Sequence, residues 1–308
     1  MAHTHFALED VRAIAQKHRL KGEMYPLPRH GIINDVWRIG DYVLRLPMDA
    51  DFVATMYSES VAVPAVLKAG VRTPALKVFD CDLDIVPVPF SVTEWHPGQT
   101  MGSMPRAPDW GYALAEWTAT LQDLGRSIAG LHSKVNEVID PEDVLGAWWC
   151  DNPREELPDT LDPGLYQWAD RLISRLEDEF EYDPLGPPPG KTFVHHDIHP
   201  WNVLVHQEVP TLIDWGNACW GDPAVDFSGF PLWALPTLVD AYRSESKIED
   251  NGLEARALWF WLGTALGEPN SLNPANFGRH WWRLPEDGLF ELRYRLMLLP
   301  APWSSWDK

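Results

Sequence analysis

The sequence predicts an α+β chain of two unequal lobes: a small N-terminal sheet lobe, residues 1–95, and a larger, mostly helical lobe, residues 96–308. Three observations carry this. Strand-like segments crowd into the first 95 residues, at Glu23–Leu27, Val36–Ile39, Tyr42–Leu46 and Phe90–Trp95. The pair Pro97-Gly98 follows the last of these at once and reads as a hinge. Beyond it the chain changes character: of 17 Trp, all but Trp37 lie at Trp95 or later.

The elements follow in order. Leu8, Val11, Ile14 and Ala15 form the apolar stripe of an amphipathic helix over residues 7–19. Gly40-Asp41 is a two-residue turn between the second and third strands. Ala50–Lys68 is helix-like, with Pro64 expected to kink or end it. In the second lobe Tyr112–Val135 is a long helix, and Asp162–Phe180 lines up Leu165, Trp168, Ala169, Leu172 and Leu176 on one face. Gly186–Gly190 is a Pro-rich joint leading into a strand, and from Pro231 apolar helical runs alternate with loops.

Composition narrows the function classes. With 45% hydrophobic and 23% charged residues and no run of about eighteen apolar residues, the chain reads as soluble, with no membrane span. Met1-Ala2-His3-Thr4-His5 lacks a signal-peptide pattern, and the three cysteines are unrelated in spacing, so reduced thiols in a cytoplasm are expected. The net charge of −20, from 45 acids against 25 bases, disfavours nucleic acid and anionic membrane and would draw in a cationic small molecule.

The chemistry concentrates in Phe193-Val194-His195-His196-Asp197-Ile198-His199-Pro200-Trp201-Asn202-Val203, which matches H-x-D-x-x-x-x-N. Leu212-Ile213-Asp214-Trp215-Gly216 follows, then Gly221-Asp222-Pro223-Ala224-Val225-Asp226. Val203–His206 and Pro210–Asp214 are short strand-like runs, and a hairpin turning at Gln207-Glu208 would set Asn202 beside Asp214. An amide oxygen and a carboxylate converging there, with Asp197 close by, suit Mg²⁺ on triphosphate oxygens. A binuclear metallohydrolase would use His195, His196, Asp197 and His199 differently, but only His206 and His280 follow as further His ligands. A structural loop of buried His is the other competing reading.

In order and spacing these three elements resemble the aminoglycoside phosphotransferase/choline kinase-like family, whose pattern runs H-G-D-L-H-P-G-N, then I-D-[WF], then G-D-P-x-x-D. The resemblance implies a protein-kinase-like fold and phosphorylation of a small-molecule hydroxyl by ATP or GTP with Mg²⁺. Asp197 would take the hydroxyl proton, and Asn202 and Asp214 would hold the metal. His195, His199, Asp222 and Asp226 would support the loop. Gly31 and Asn34 match a loose G-x-x-N phosphate-covering stretch, and Arg45, paired with Glu59, stands where a Lys commonly binds phosphates. Glu94, Trp95 and His96 would meet the base.

Two departures and three open choices remain. His196 and Trp201 stand where glycine is usual in the family and would reshape the acceptor side. A sugar, amino-acid or amino-alcohol kinase, or a nucleotide-binding pseudokinase, are the alternatives; the intact Asp197, Asn202 and Asp214 argue against the last. Glu155, Glu156, Asp159 and Asp162 form a candidate acidic rim for a polyamine-like, amine-bearing acceptor, or a solvated loop. Trp148-Trp149, Trp201 and Trp281-Trp282 could cage a cation or simply pack.

Overall fold

A computed structural model describes residues 6–27, 34–104, 114–190, 192–246, 249–266 and 285–307. Gly31 and the Trp281-Trp282 pair lie outside the described residues.

Five antiparallel strands form the N-terminal sheet: β1 (Met24–Pro26), β2 (Asn34–Ile39), β3 (Tyr42–Pro47), β4 (Leu76–Asp80) and β5 (Phe90–Glu94), in the order β1-β2-β3-β5-β4. Side chains alternate across a strand, so each face has its own composition. One face presents Trp37, Ile39, Leu44, Leu46, Phe90 and Val92, which cluster with Val11 and Ile14 of helix α1 (Leu8–Lys17). Register places Val36, Arg45 and Ser91 together on the other face. Gly40 turns β2 into β3 at φ 58°, in the left-handed region. The β4 strand had no expectation from the sequence.

A short 3₁₀ turn, Ala50–Phe52, opens into helix α2 (Val53–Lys68), which runs on through Pro64, so the proline does not end it. Although α2 follows the first three strands, its Ala62, Val63 and Val66 join the large hydrophobic core of the helical part. It also packs on Gly216, where a Cβ would stand 2.6 Å from Thr55.

That larger core is built on helices α3 (Leu114–Lys134), α4 (Pro163–Glu177), α5 (Leu235–Glu245), α6 (Leu253–Leu266) and α7 (Pro285–Leu298). Asp162 caps α4 by accepting from Gly164 N–H and Leu165 N–H at 2.9 and 3.1 Å. α3 crosses α5 closely because Gly125 lacks a side chain; a Cβ there would lie 2.4 Å from Leu238 O. Strands β6 (Gln99–Thr100), β8 (Val203–His206) and β9 (Val209–Leu212) form one small sheet, and β7 (Thr192–Val194) pairs with β10 (Cys219–Gly221). No described helix is long and apolar enough to cross a membrane.

Candidate active site

β7 delivers the chain into His195-His196-Asp197, and a carboxylate from further along shapes this loop. Asp226, fully buried, accepts from the backbone N–H of His195 at 3.0 Å and of His196 at 2.7 Å. It also accepts from His132 Nε2 at 2.9 Å. With that nitrogen protonated, His132 Nδ1 is the acceptor for the Tyr242 hydroxyl 3.2 Å away. Burial alone would raise the Asp226 pKa, but the His132 bond and the His195 amide hold it below the usual carboxylate range. Asp222 caps the Pro223–Phe227 turn through Ala224 N–H at 2.7 Å and meets Tyr182 Oη and Arg256 Nε at 2.5 and 2.7 Å.

The two adjacent histidines face opposite ways. His195 Nε2 donates to Ile213 O at 3.0 Å and its ring lies 4.4 Å from Trp215. Burial depresses its pKa and favours the neutral ring. His196 adopts φ 66°, the left-handed backbone that explains why glycine is usual here. Its Nε2 donates to Trp149 O at 2.9 Å, and its ring stacks on Trp148 at 5.2 Å. Gly221 makes room, since a Cβ there would lie 2.3 Å from Trp148. Trp201 is likewise absorbed by packing: a Cβ on Gly102 would stand 2.6 Å from its ring. The bulk expected on the acceptor side is thus taken up against residues 148–149 and 101–103.

Asp197 is half-buried, and Asn202 and Asn217 share one of its oxygens. Asn202 Nδ2 donates to Oδ2 and to the Asp197 main-chain oxygen, both at 3.0 Å, and Asn217 Nδ2 reaches Oδ2 at 3.5 Å. His199 Nε2 lies 3.4 Å from Oδ1. Desolvation, followed by the Asp214 charge, pushes the Asp197 pKa well above the ordinary value, while the two amides pull it down.

The β8–β9 hairpin turns on Gln207 and Glu208, at φ 50° and 66°, and Ile213 N–H donates to Asn202 O at 3.0 Å. β9 stops at Leu212 rather than continuing to Asp214, because Asp214 itself is left-handed at φ 69°. Arg45 Nη2 donates to Asp214 Oδ1 at 2.8 Å, while Nη1 donates to both Glu59 oxygens at 2.7 and 2.6 Å. Burial would lower the Arg45 pKa, but the two carboxylates outweigh it and keep the guanidinium charged. Burial would raise Asp214, and Arg45 outweighs that in turn, leaving the carboxyl below its ordinary value.

These residues fit a magnesium site. Asn202 commits its N–H groups to Asp197, so its Oδ1 would be the ligand, with Asp214 as the carboxylate. One carboxylate and one amide oxygen form the sparse donor set Mg²⁺ accepts when phosphates and water complete the octahedron. Among the described residues, the three acids close enough to cage a metal unaided are Asp80, Asp82 and Asp84, and Lys17 Nζ already stands 2.8, 2.9 and 2.7 Å from them.

Other expected residues fall as follows. Asn34 begins β2 on the Arg45 face, with its Oδ1 buried and without a partner among the described residues. Glu94 N–H donates to Ala75 O at 2.9 Å and Trp95 N–H to Asp41 O at 2.7 Å. Of positions 94–96, only the His96 backbone N–H is therefore uncommitted among the described residues. The Glu155 carboxylate accepts from Asn152 Nδ2 at 3.0 Å, Asp159 is exposed, and Glu156 is half-buried beside them. Trp149, just before these acids, ties the segment to the loop through its main-chain oxygen on His196. Asn217, His132 and Tyr242 were not anticipated; a lone polar His on the apolar face of α3 was the one signal available.

The matches to known proteins agree with this arrangement. A family model described as the phosphotransferase enzyme family (APH) matches residues 26–259. The chain belongs to the phosphotransferase enzyme family. The matched span contains every residue from Arg45 to Asp226 discussed above, and the class of activity is transfer of a phosphoryl group to a small molecule. No curated protein sequence matches it. Among solved structures, the macrolide 2′-phosphotransferase MphH from Brachybacterium faecium is 20% identical, covering 92% of this chain and 96% of that one, with TM-score 0.56. A choline/ethanolamine kinase family protein from Mesorhizobium loti is 18% identical, covering 97% and 99%, with TM-score 0.58. The GDP complex of aminoglycoside 2′-phosphotransferase-IIIa is 17% identical, covering 92% and 96%, with TM-score 0.61. At these identities the likeness is one of fold, the two-lobe protein-kinase-like α+β architecture of this phosphotransferase family.

Proposed function

We propose that this phosphotransferase moves the γ-phosphoryl group of ATP or GTP, with Mg²⁺, to a hydroxyl of a cationic small molecule such as an aminoglycoside. The observation that carries the reading is the convergence of Asp197, Asn202 and Asp214, tied by the Asn202 amide on Asp197 and the Ile213 amide on Asn202. Relatives in complex with ATP, ADP and GDP support a nucleotide donor.

In this reading Asp197 accepts the acceptor's hydroxyl proton, a role its raised pKa suits, since a base should titrate near the working pH. Asn202 and Asp214 hold Mg²⁺, which when bound neutralises charge on the phosphate oxygens. Arg45, oriented by Glu59, turns its guanidinium to the phosphates. The uncommitted His96 N–H and neighbouring carbonyls meet the base. Residues 1–95 act as the nucleotide lobe and residues 96–308 carry chemistry and acceptor. The net charge of −20 favours a cation over a neutral sugar.

Melting the protein with MgATP or MgGTP tests the donor. Saturation at about 100 times Kd should add about 2.7 kcal/mol, raising Tm. Phosphate transfer to a panel of aminoglycosides, macrolides, sugars and amino alcohols tests the acceptor. The absence of both a Tm shift and nucleotide turnover with either donor would refute the reading.

A further inference from the structure

The residue two past Asp197 has an arrangement that loop support alone does not explain. His199 Nδ1 accepts from Trp201 N–H at 3.2 Å. A ring nitrogen that accepts carries no proton, so in the neutral imidazole the proton sits on Nε2, the nitrogen 3.4 Å from Asp197 Oδ1. The side chain is only 14% exposed and is wedged by Gly229, where a Cβ would fall 3.0 Å from His199 Cβ. With Nδ1 held as an acceptor, the ring is the neutral imidazole.

The other carboxylate oxygen is already engaged. Asn202 and Asn217 both aim N–H groups at Oδ2, which leaves Oδ1 as the oxygen for an incoming hydroxyl. At 3.4 Å the two atoms are within reach but not hydrogen-bonded, and catalytic contacts of this kind commonly align and tighten only when substrate closes the site.

We infer that His199 is a positioning residue: Trp201 fixes its tautomer, and its Nε2–H steadies Asp197 Oδ1 so that the remaining lone pair faces the acceptor hydroxyl. The inference rests on Asp197 being the base. During transfer the hydroxyl proton passes to Asp197, the acceptor oxygen bonds to the γ-phosphorus, and the bond to the β-phosphate oxygen breaks to release nucleoside diphosphate. His199 keeps its proton throughout.

Two measurements on the full-length protein test this. Long-range ¹H–¹⁵N spectra of histidine-labelled protein, with the signal assigned by its loss in His199→Gln, should show the Nε2-protonated tautomer at pH 7.5. That signal should move in Asp197→Asn. An Nδ1-protonated ring, an imidazolium, or no response to Asp197→Asn would overturn the inference. The second measurement is phosphate release from MgATP and MgGTP with water as acceptor. His199→Asn keeps an acceptor for Trp201 N–H but has no donor at the Nε2 position, whereas His199→Gln restores one. We expect kcat to fall roughly 10- to 100-fold in the Asn variant and within about threefold in the Gln variant, at unchanged nucleotide KM. Equal kcat in the two variants, or a loss appearing in KM, would count against the role. If the wild type releases no phosphate from either nucleotide, the transfer reading fails, while the tautomer spectrum still decides the His199–Asp197 contact.

Discussion

Asp226→Asn isolates what holds the H-x-D loop in shape. The wild-type carboxylate accepts three buried N–H groups, from His195, His196 and His132, at 3.0, 2.7 and 2.9 Å. An asparagine brings one oxygen and one NH₂ group. If the oxygen meets His196 N–H, the NH₂ is pressed against the His195 and His132 donors that shared Oδ2. His132 can shift its proton to Nδ1 and donate to Tyr242, but a backbone amide has no such option. One buried donor is then left unsatisfied, at about 1–3 kcal/mol, and charge-assisted bonds of about 1.5–3 kcal/mol are weakened. We expect a destabilisation of about 3–5 kcal/mol, a large share of the roughly 5–15 kcal/mol typical of a folded domain. Tyr242→Phe removes only the outer hydroxyl of the chain and should cost about 0.5–1.5 kcal/mol. Urea unfolding of the nucleotide-free protein measures both, with the midpoint falling at constant slope. An Asp226→Asn midpoint equivalent to less than about 0.5 kcal/mol, or a Tyr242→Phe loss as large as that of Asp226→Asn, would refute the reasoning.

Three further outcomes follow from the site. Asp197→Asn should cut turnover by about 10²–10⁴ while nucleotide affinity, measured by titration calorimetry, stays near wild type; Asp214→Ala should instead abolish Mg²⁺-dependent nucleotide binding, and equal loss of binding in both would contradict the separate roles. Stability should begin to fall in mild acid, because the folded His199 pKa is depressed from 6.5 to about 4. The unfolded ring therefore takes up a proton first, and stability complete above 6.5 is lost as pH falls toward 4. His199→Gln should flatten that part of the denaturation-versus-pH curve, and an unchanged slope would show the ring is not desolvated. For a cationic acceptor, kcat/KM at saturating nucleotide should drop as the Debye length shrinks from about 30 Å at 0.01 M salt to about 8 Å at 0.15 M; a neutral acceptor used efficiently without salt dependence would remove the charge argument.

Much of the candidate site was legible because its parts are close in sequence or bound to a repeating element. The Gln207-Glu208 turn sets Asn202 against the residues before Asp214, and a hairpin needs only local pattern to be recognised. The Arg45–Glu59 pair joins a strand to the next helix, so spacing along one short connection suffices. The motif itself carries Asp197 in a fixed relation to Asn202. Periodicity likewise placed α1 and α4, each a matter of neighbouring residues, while the role of Asp162 as the cap of α4 came only from the structure.

Contacts that join distant segments had no such local signature, and the tertiary structure decided them. Arg45 and Asp214 are 169 residues apart, and nothing in either segment announces that one guanidinium will link two carboxylates. Asp226 grips amides some thirty residues earlier and a helix 94 residues earlier; only folding brings His132 to it. Asn217 reaches Asp197 from the short 3₁₀ turn that follows left-handed Asp214, a backbone choice that residue type alone leaves open. The acids at 155–159 attract attention as charge in sequence, yet the contact with the loop is a tryptophan carbonyl on His196. Local pattern therefore located the chemistry, while burial and long-range packing chose the partners that hold it, because a hydrogen bond's worth depends on the water removed around it.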